Sequence, residues 1–441
     1  MVGILSGPMR AHPVAGLAGA VTAPGDKSIS HRALIFTALA DGASIISGLL
    51  DGDDILRTAA ALRALGAEIE REGPQWRVQG GPWAAPAQAL YLGNSGTGAR
   101  LLMGAVAGAG VAAAFDGDAS LRSRPMGRVL EPLRMMGLSA TATDGRLPVT
   151  IEAGAPLQSV QCKLARPSAQ VKSAILLAAL GAEGVTRIHE PVLSRDHTER
   201  MLATFGVDIA YEDDGAEGRY ISLEGGQRLK PADVVVPGDP SSASFAVAAA
   251  AITPNADILI RNVLMNPLRT GFFETLREMG ADIVYENARE DNGEPVADIR
   301  ARHSVLHGVY VPASRAPSMI DEFPILSVVA AFANGETIME GLEELRIKES
   351  DRIAAMEAGL AACGVDAQSG EDWMRVAGRG KPAPGGVRVS VHGDHRVAMS
   401  FLVMGGASEK PIEIDDGAMI ATSFPDFSAL MAKLGADIVA A

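Results

Sequence analysis

An α/β protein of two domains, with three repeats in each, is what the sequence predicts. Three observations carry that prediction. The chain has 441 residues, and a single hydrophobic core stops growing near ~250–300 residues. A helix-end pattern closing on glycine recurs six times. A polar helix start followed by an Ala-rich apolar run accompanies each recurrence.

The helix ends read Leu62 to Gly66, Leu133 to Gly137, Leu202 to Gly206, Leu276 to Gly280, Leu360 to Gly364 and Leu430 to Gly435. The glycines are separated by 71, 69, 74, 84 and 71 residues, close to a sixth of the chain. A glycine after a helix end predicts the left-handed cap that lets the chain reverse. The stretches that follow, such as Ala67-Glu68-Ile69-Glu70 and Ala281-Asp282-Ile283-Val284-Tyr285, alternate as half-buried strands do. The earlier helix of each repeat starts at Asp26-Lys27, Asn94-Ser95-Gly96, Ser168-Ala169-Gln170, Asp239-Pro240, Ser318 to Glu322 and Asp394-His395-Arg396. Asp, Asn and Ser cap helix N-termini. A helix apolar on all sides belongs inside a domain. Periods near 70 exceed those of the familiar solenoids.

Composition narrows the function. At 47% hydrophobic and 21% charged the chain is globular, and a net charge of −14 disfavours duplex DNA and anionic membranes as partners. Aromatics are only 4%, which argues against single-stranded nucleic acid bound by stacking and for helices packed through small side chains. The charge-free runs Leu101 to Phe115 and Ser241 to Ala256 are too short to span a bilayer. No signal-peptide pattern opens the sequence. Cys162 and Cys363 are too few for a disulfide framework or a four-Cys zinc site. His189, His197, His392 and His395 show no ligand spacing. The expectation is a reduced, cytoplasmic, metal-free protein.

Within this acidic chain, Lys27, Arg32, Arg100, Lys172 and Arg396 stand at or near polar helix starts, where exposed N–H groups and partial positive charge attract anions. Lys is scarce, eight in all, so Lys27, Lys172 and Lys348 stand out. The pattern suggests a ligand with several negative charges, although Pro24 to Arg32 reads equally as a capped helix with a charged first turn. It is not a Walker A loop. Gly93 to Gly98 could let a backbone approach an anion, but no Rossmann spacing supports a dinucleotide. Asp321-Glu322 and Lys348-Glu349-Ser350-Asp351-Arg352 set acids beside bases, as proton transfer requires and as surface ion pairs also do.

Five segments in order resemble the 5-enolpyruvylshikimate-3-phosphate synthase family: Pro24 to Arg32, Gly93 to Thr97, Arg124-Pro125-Met126-Gly127, Arg346 to Arg352 and Asp394-His395-Arg396. Ser194-Arg195-Asp196-His197-Thr198-Glu199 and Ile420 to Pro425 resemble its class II bacterial branch. The resemblance implies two domains of three βαβαββ units with pseudo-threefold symmetry, residues 1–22 with 238–441 and residues 23–237, and an active site in the cleft between them. It implies transfer of the enolpyruvyl group of phosphoenolpyruvate to the 5-hydroxyl of shikimate 3-phosphate, with phosphate released through a tetrahedral intermediate.

Asp321 matches the family's proposed base, and Lys27 and Glu349 its candidates for proton donation and relay. Shikimate 3-phosphate would be held by Lys27, Ser28, Arg32, Ser168, Ala169, Gln170, Arg195, Asp321 and Lys348. Phosphoenolpyruvate would be held by Lys27, Gly96, Arg124, Gln170, Arg352 and Arg396. No cofactor is implied, no partner beyond the two substrates, and the working form would be a monomer. Glyphosate would compete at the phosphoenolpyruvate site, with Gly96 leaving room for it. Thr422 departs from the Lys that some members carry there. The similar UDP-N-acetylglucosamine enolpyruvyl transferases carry a loop Cys that Phe115 to Arg124 lacks. The RNA 3′-phosphate cyclases, which share related repeats, need a nucleophilic His.

Overall fold

The computed structural model describes residues 7–154 and 156–441. The chain divides into two compact units. A central unit comprises Gly25–Val236 with Glu290–Glu294. A flanking unit comprises the stretch up to Pro24 together with Pro237–Arg289 and Pro295–Ala441.

Each repeat is built alike, and the second shows why. Leu90–Tyr91, Ala113–Asp116, Arg146–Ile151 and Ala140–Thr143 lie side by side in that order. The first two are parallel and the other neighbours antiparallel. A parallel pair needs a crossover, and the buried helix Gly96–Gly108 supplies it. The outer helix Gly127–Met135 then leads into the hairpin. Arg146–Ile151 alternates, with Leu147, Val149 and Ile151 inward, and Val149 opposes Phe115, both wholly buried. The order is thus βαβαββ.

The third repeat follows it with Gln161–Lys163, Val185–Glu190, Arg219–Glu224 and Ile209–Asp213 around helices Ala169–Ala179 and His197–Thr204. In the first, helices Lys27–Leu39 and Asp53–Ala64 serve the sheet of Ala43–Ser47, Gln75–Gln79 and Glu68–Glu72, and Val234–Val235 provides the parallel edge. The flanking unit repeats the plan around helices Pro240–Ile252, Phe323–Phe332 and His395–Ala407. Two of its sheets borrow strands from early in the chain. Ala18–Thr22 pairs in parallel with Asp257–Leu264. Met9–His12 lies between Ile412–Ile414 and Asp437–Ala440.

All six repeat glycines have positive φ, from 77° at Gly206 to 110° at Gly66. The N–H after each glycine reaches back to the carbonyl five residues earlier, as Ala67 to Leu62 at 3.1 Å and Val207 to Leu202 at 2.9 Å. Each glycine N–H bonds the carbonyl three residues back. These paired bonds form a Schellman motif, which uses orphan carbonyls at a helix end. In the sixth repeat Met431, not Leu430, takes the buried leucine's place, and Ala436 bonds its carbonyl at 3.0 Å.

The Ala- and Gly-rich helices pack closely because their side chains are small. A Cβ at Gly104 would collide with the Ala174 backbone, and one at Gly108 with the Leu177 carbonyl. In the flanking unit all thirteen residues of Pro240–Ile252 are buried. Five of the six crossover helices have a side-chain cap: Asp26, Ser95, Ser168, Asp239 and Asp394. The fifth repeat differs from expectation. Its helix begins at Phe323 without a side-chain cap, after a short turn of helix at Ala316–Met319, and Ser318 Oγ donates to the Arg315 carbonyl instead.

Candidate active site

In the central unit, three capped helix starts carry the expected groups. Asp26 accepts from the Ile29 N–H at 2.7 Å, which fixes Lys27 and Ser28 in the first turn. Lys27 pairs with the buried carboxylate of Asp54 and remains half-buried. Behind it, burial drives His31 down to about 3, an effect that Asp54 opposes and Lys27 and Arg32 reinforce. That imidazole is neutral and lies 2.9 Å from Thr58 Oγ1.

Arg32 is wholly buried. Its guanidinium donates to Thr198 Oγ1 at 2.7 Å, the Ser28 carbonyl at 2.9 Å and Ser173 Oγ at 2.7 Å. Burial lowers it to about 10, against the attraction of Glu199. Arg32 therefore holds the Ser28 backbone from behind. At the second start, Arg100 Nη1 donates to Gln170 Oε1 at 2.6 Å and Gln170 Nε2 donates to Thr97 Oγ1 at 2.9 Å. Arg124 Nη2 donates to Asn94 Oδ1 at 2.8 Å. A Cβ on Gly96 would stand 3.2 Å from Arg124 Nη1 and 3.3 Å from Arg100 Nη1. The glycine thus sits between two guanidinium groups. Ser168 caps the third start, accepting from Val171 at 3.4 Å, with Ala169 and Gln170 the first helical residues. Arg195 is half-buried in the loop before His197–Thr204.

The flanking unit gathers carboxylates around arginines. Arg352 is wholly buried at the start of Arg352–Ala362. It donates to Asp394 Oδ2 at 2.8 Å and to Glu349 Oε2 at 2.5 Å, and it lies 3.5 Å from Asp321 Oδ1. Burial disfavours its charge, but Asp394, Glu349 and Asp321 outweigh that and hold it above the ordinary arginine range. Asp394 is buried too, which favours its acid form. Arg352 and His395 overcome this and keep it below the usual carboxylate range. It also accepts from the Arg396 N–H at 2.9 Å and from Ser350 Oγ at 3.1 Å. His395 is lowered to about 4, first by burial and then by Arg396. Arg396 Nη1 donates to the Asp321 carbonyl at 3.2 Å and lies 4.0 Å from Glu322 Oε1. Lys348 is half-buried, 3.8 Å from Glu344.

The structure thus brings Asp321, Glu349, Arg352 and Arg396 together in one unit. Lys27, Ser28 and Arg32, then Gly96, Arg124 and Gln170, form neighbouring groups in the other. Sequence reasoning named Arg396 and left aside its neighbour Asp394, although the Asp at that cap position was visible. Glu322, paired in sequence with Asp321 as a candidate acid, is buried and receives a hydrogen bond from Ser241 Oγ. Lys172 is a correction. It is wholly buried between Glu190 at 2.9 Å and Glu199 at 2.8 Å, so it is an internal ion pair and not an anion site. Thr422 donates its hydroxyl to the Met419 carbonyl at 2.7 Å.

Burial raises the Cys162 thiol to about 11 and Cys363 to about 12, which makes both poor nucleophiles. Asp196, His197 and Glu294 have ligand atoms within 4.8 Å of one another. Arg200 stands 3.0 Å from Asp196 and 3.7 Å from Glu294 and neutralises both, and His197 Nδ1 lies 2.7 Å from Glu294 Oε1. Among the described residues no helix is long and apolar enough to cross a membrane.

Repeats of this topology, with cations and carboxylates gathered at helix starts, define an α/β enzyme class suited to small anionic substrates. Residues 12–431 match the family described as EPSP synthase (3-phosphoshikimate 1-carboxyvinyltransferase), and the chain belongs to that family. The 3-phosphoshikimate 1-carboxyvinyltransferase of Phenylobacterium zucineum is 54% identical over 98% of this chain and 95% of its own. That of Cereibacter sphaeroides is 55% identical over 98% of each. The solved EPSP synthase of Acinetobacter baumannii superposes with a TM-score of 0.88 at 43% identity, covering 98% of this chain and all of its own.

Proposed function

We propose that the chain transfers the enolpyruvyl group of phosphoenolpyruvate to the 5-hydroxyl of shikimate 3-phosphate and releases phosphate, a step of the shikimate pathway toward aromatic amino acids. The match to enzymes of that name at more than half identity over 98% of the chain carries this reading. The two residue sets act on one substrate pair. The substrates bring two phosphates and two carboxylates, and the central helix starts supply Lys27, Arg124 and the N–H groups to receive them. Ser28, Ser168, Ala169, Gln170, Arg195 and Lys348 hold shikimate 3-phosphate, with Arg32 behind Ser28. Gly96, Arg352 and Arg396 complete the phosphoenolpyruvate site.

Asp321 is the base for the 5-hydroxyl. Attack on the enol carbon forms a C–O bond while the methylene carbon gains a proton. Elimination then removes a proton from that carbon and expels phosphate. Lys27 and Glu349 supply and take back this proton. Coupled groups in one site share such protons, so no single step is assigned to either. The enzyme works as a cytoplasmic monomer, without metal or cofactor.

The test is phosphate release with both substrates, each omitted in turn. Release only when both are present is expected. Release from phosphoenolpyruvate with a UDP-sugar in place of shikimate 3-phosphate would overturn the reading. Light scattering at working concentration checks the monomer.

A further inference from the structure

The six residues Ser194 to Glu199 do unequal things. Five are buried, at 7% exposure or less, and Arg195 alone of the six is half-exposed. Each buried member is tied to another part of the central unit. Glu190 Oε1 accepts from the Ser194 N–H at 2.9 Å and from its hydroxyl at 2.5 Å. Lys172 Nζ donates to the Ser194 carbonyl at 3.1 Å. Arg200 holds Asp196, and His197 meets Glu294. Thr198 Oγ1 accepts from Arg32 and lies 2.6 Å from Ser173 Oγ. Glu199 meets Lys172 and, at 3.1 Å, Arg219.

An ammonium has three N–H donors. Lys172 has three partners, Glu190, Glu199 and the Ser194 carbonyl, so no donor is left for a ligand. Arg219 opposes Glu190 across the sheet and lies 3.5 Å from its carboxylate. Two cations, Lys172 wholly buried and Arg219 partly exposed, thus balance two buried carboxylates. Burying such charges costs desolvation that their attraction barely recovers, so stability alone is a weak reason for them. Geometry is a better one. The network fixes both backbone groups of Ser194, one residue before Arg195.

We propose that Lys172 and Glu190 are positioning residues that set the Arg195 guanidinium for the 3-phosphate group of the substrate. This rests on the reading of Arg195 as a phosphate contact. Lys172→Met would leave two buried carboxylates to Arg219 alone and confound folding with function. Glu190→Gln keeps the shape and leaves Glu199 to balance Lys172. Ser194→Ala removes one hydrogen bond and no charge.

Steady-state kinetics on the full chain, with melting curves as a folding control, test the proposal. Glu190→Gln should raise KM for shikimate 3-phosphate roughly tenfold and Ser194→Ala about threefold, with KM for phosphoenolpyruvate moved less than about twofold. Arg195→Gln should raise the same KM. Adding Glu190→Gln to Arg195→Gln should then change it no further, because the positioned group is gone. Additive effects, equal rises in both KM values, or an unchanged KM in folded single variants would overturn the proposal. If Glu190→Gln does not fold, Ser194→Ala alone and combined with Arg195→Gln decides by the same criteria. An Arg195→Gln enzyme with normal KM would instead sink the reading of Arg195 itself, and with it the purpose of the network.

Discussion

The two units use charge differently. In the central unit the helix starts present cations among hydroxyls and amides: Lys27 beside Ser28, Arg124 on Asn94, Arg100 on Gln170, and Arg32 between Thr198 and Ser173. In the flanking unit every arginine of the set meets carboxylates, and Arg352 alone meets three. Cations held by neutral acceptors keep their charge available for an anion. Carboxylates set around a permanent cation stay ionised and are ready to accept protons. The difference points to a division of labour, with the central unit mainly receiving the substrates and the flanking unit mainly handling protons. Lys27, a titratable group paired with Asp54, is the exception in the central unit.

The largest effects test that division. Lys27→Met should cut turnover by roughly a hundredfold to a thousandfold, about 3–4 kcal/mol of transition-state stabilisation, with the fold intact by circular dichroism. Near-normal turnover would remove Lys27 from the chemistry. Asp321→Asn should lower kcat by about a hundredfold or more while both KM values move little. Gln170→Ala in the central unit should chiefly raise KM. If Asp321→Asn spares kcat and raises KM alone, the proposed division of labour is wrong.

A smaller effect is expected at Gly96. Placed 3.2–3.3 Å from two guanidinium groups, a new methyl would crowd the site at a cost of about 1–3 kcal/mol. Glyphosate is longer than phosphoenolpyruvate and should lose more. Gly96→Ala should therefore raise the inhibition constant about fivefold or more beyond any rise in KM for phosphoenolpyruvate. Equal changes in the two would break the steric argument.

Next comes pH. His31 is held near 3 and His395 near 4, both below the ordinary 6.5. Their neutral burial contributes stability that is fully present above pH 6.5 and is lost as pH falls through the folded values, because the unfolded chain takes up the protons first. Unfolding free energy should decline between pH 6.5 and about 4, and His31→Gln should flatten the slope. An identical slope in that variant would exclude His31 as a source. The smallest effect expected is none at all: chelator-treated enzyme should keep its activity, Arg200 already neutralising Asp196 and Glu294. Activity lost and restored only by a divalent ion would reverse that.

Much of this was legible in the residues. The six glycines announced six helix reversals because left-handed caps tolerate little else. Asp26, Ser95, Ser168, Asp239 and Asp394 announced helix starts by their own chemistry. The sixth repeat slipped by one residue because Leu430 and Met431 are both apolar, and only packing distinguishes them. The fifth start lacked a cap because Glu322 meets Ser241 and Arg396 instead. Lys172 looks like an anion ligand in sequence because burial is invisible in a list of cations. Its setting in Val171-Lys172-Ser173-Ala174-Ile175-Leu176 was the available signal, since a lysine in such a run has to meet carboxylates inside the fold. Most resistant to reading was the meeting of Asp321, Glu349 and Arg352 with Asp394, which depends on how the fifth and sixth repeats close on one another.

Met9 lies opposite both Ile414 and Ala440. A ribosome adding roughly 5–20 residues per second releases that strand long before either neighbour exists. The central unit is nearly continuous in sequence and has its partners at hand early. The last sheet of the flanking unit waits for Asp437–Ala440 to be made, so its first strand must stay unpaired and uncommitted in the meantime. Such distant pairings slow folding. Changes to residues 9–22 should therefore alter yield of folded protein more than they alter catalysis, although these residues belong to no part of the proposed site.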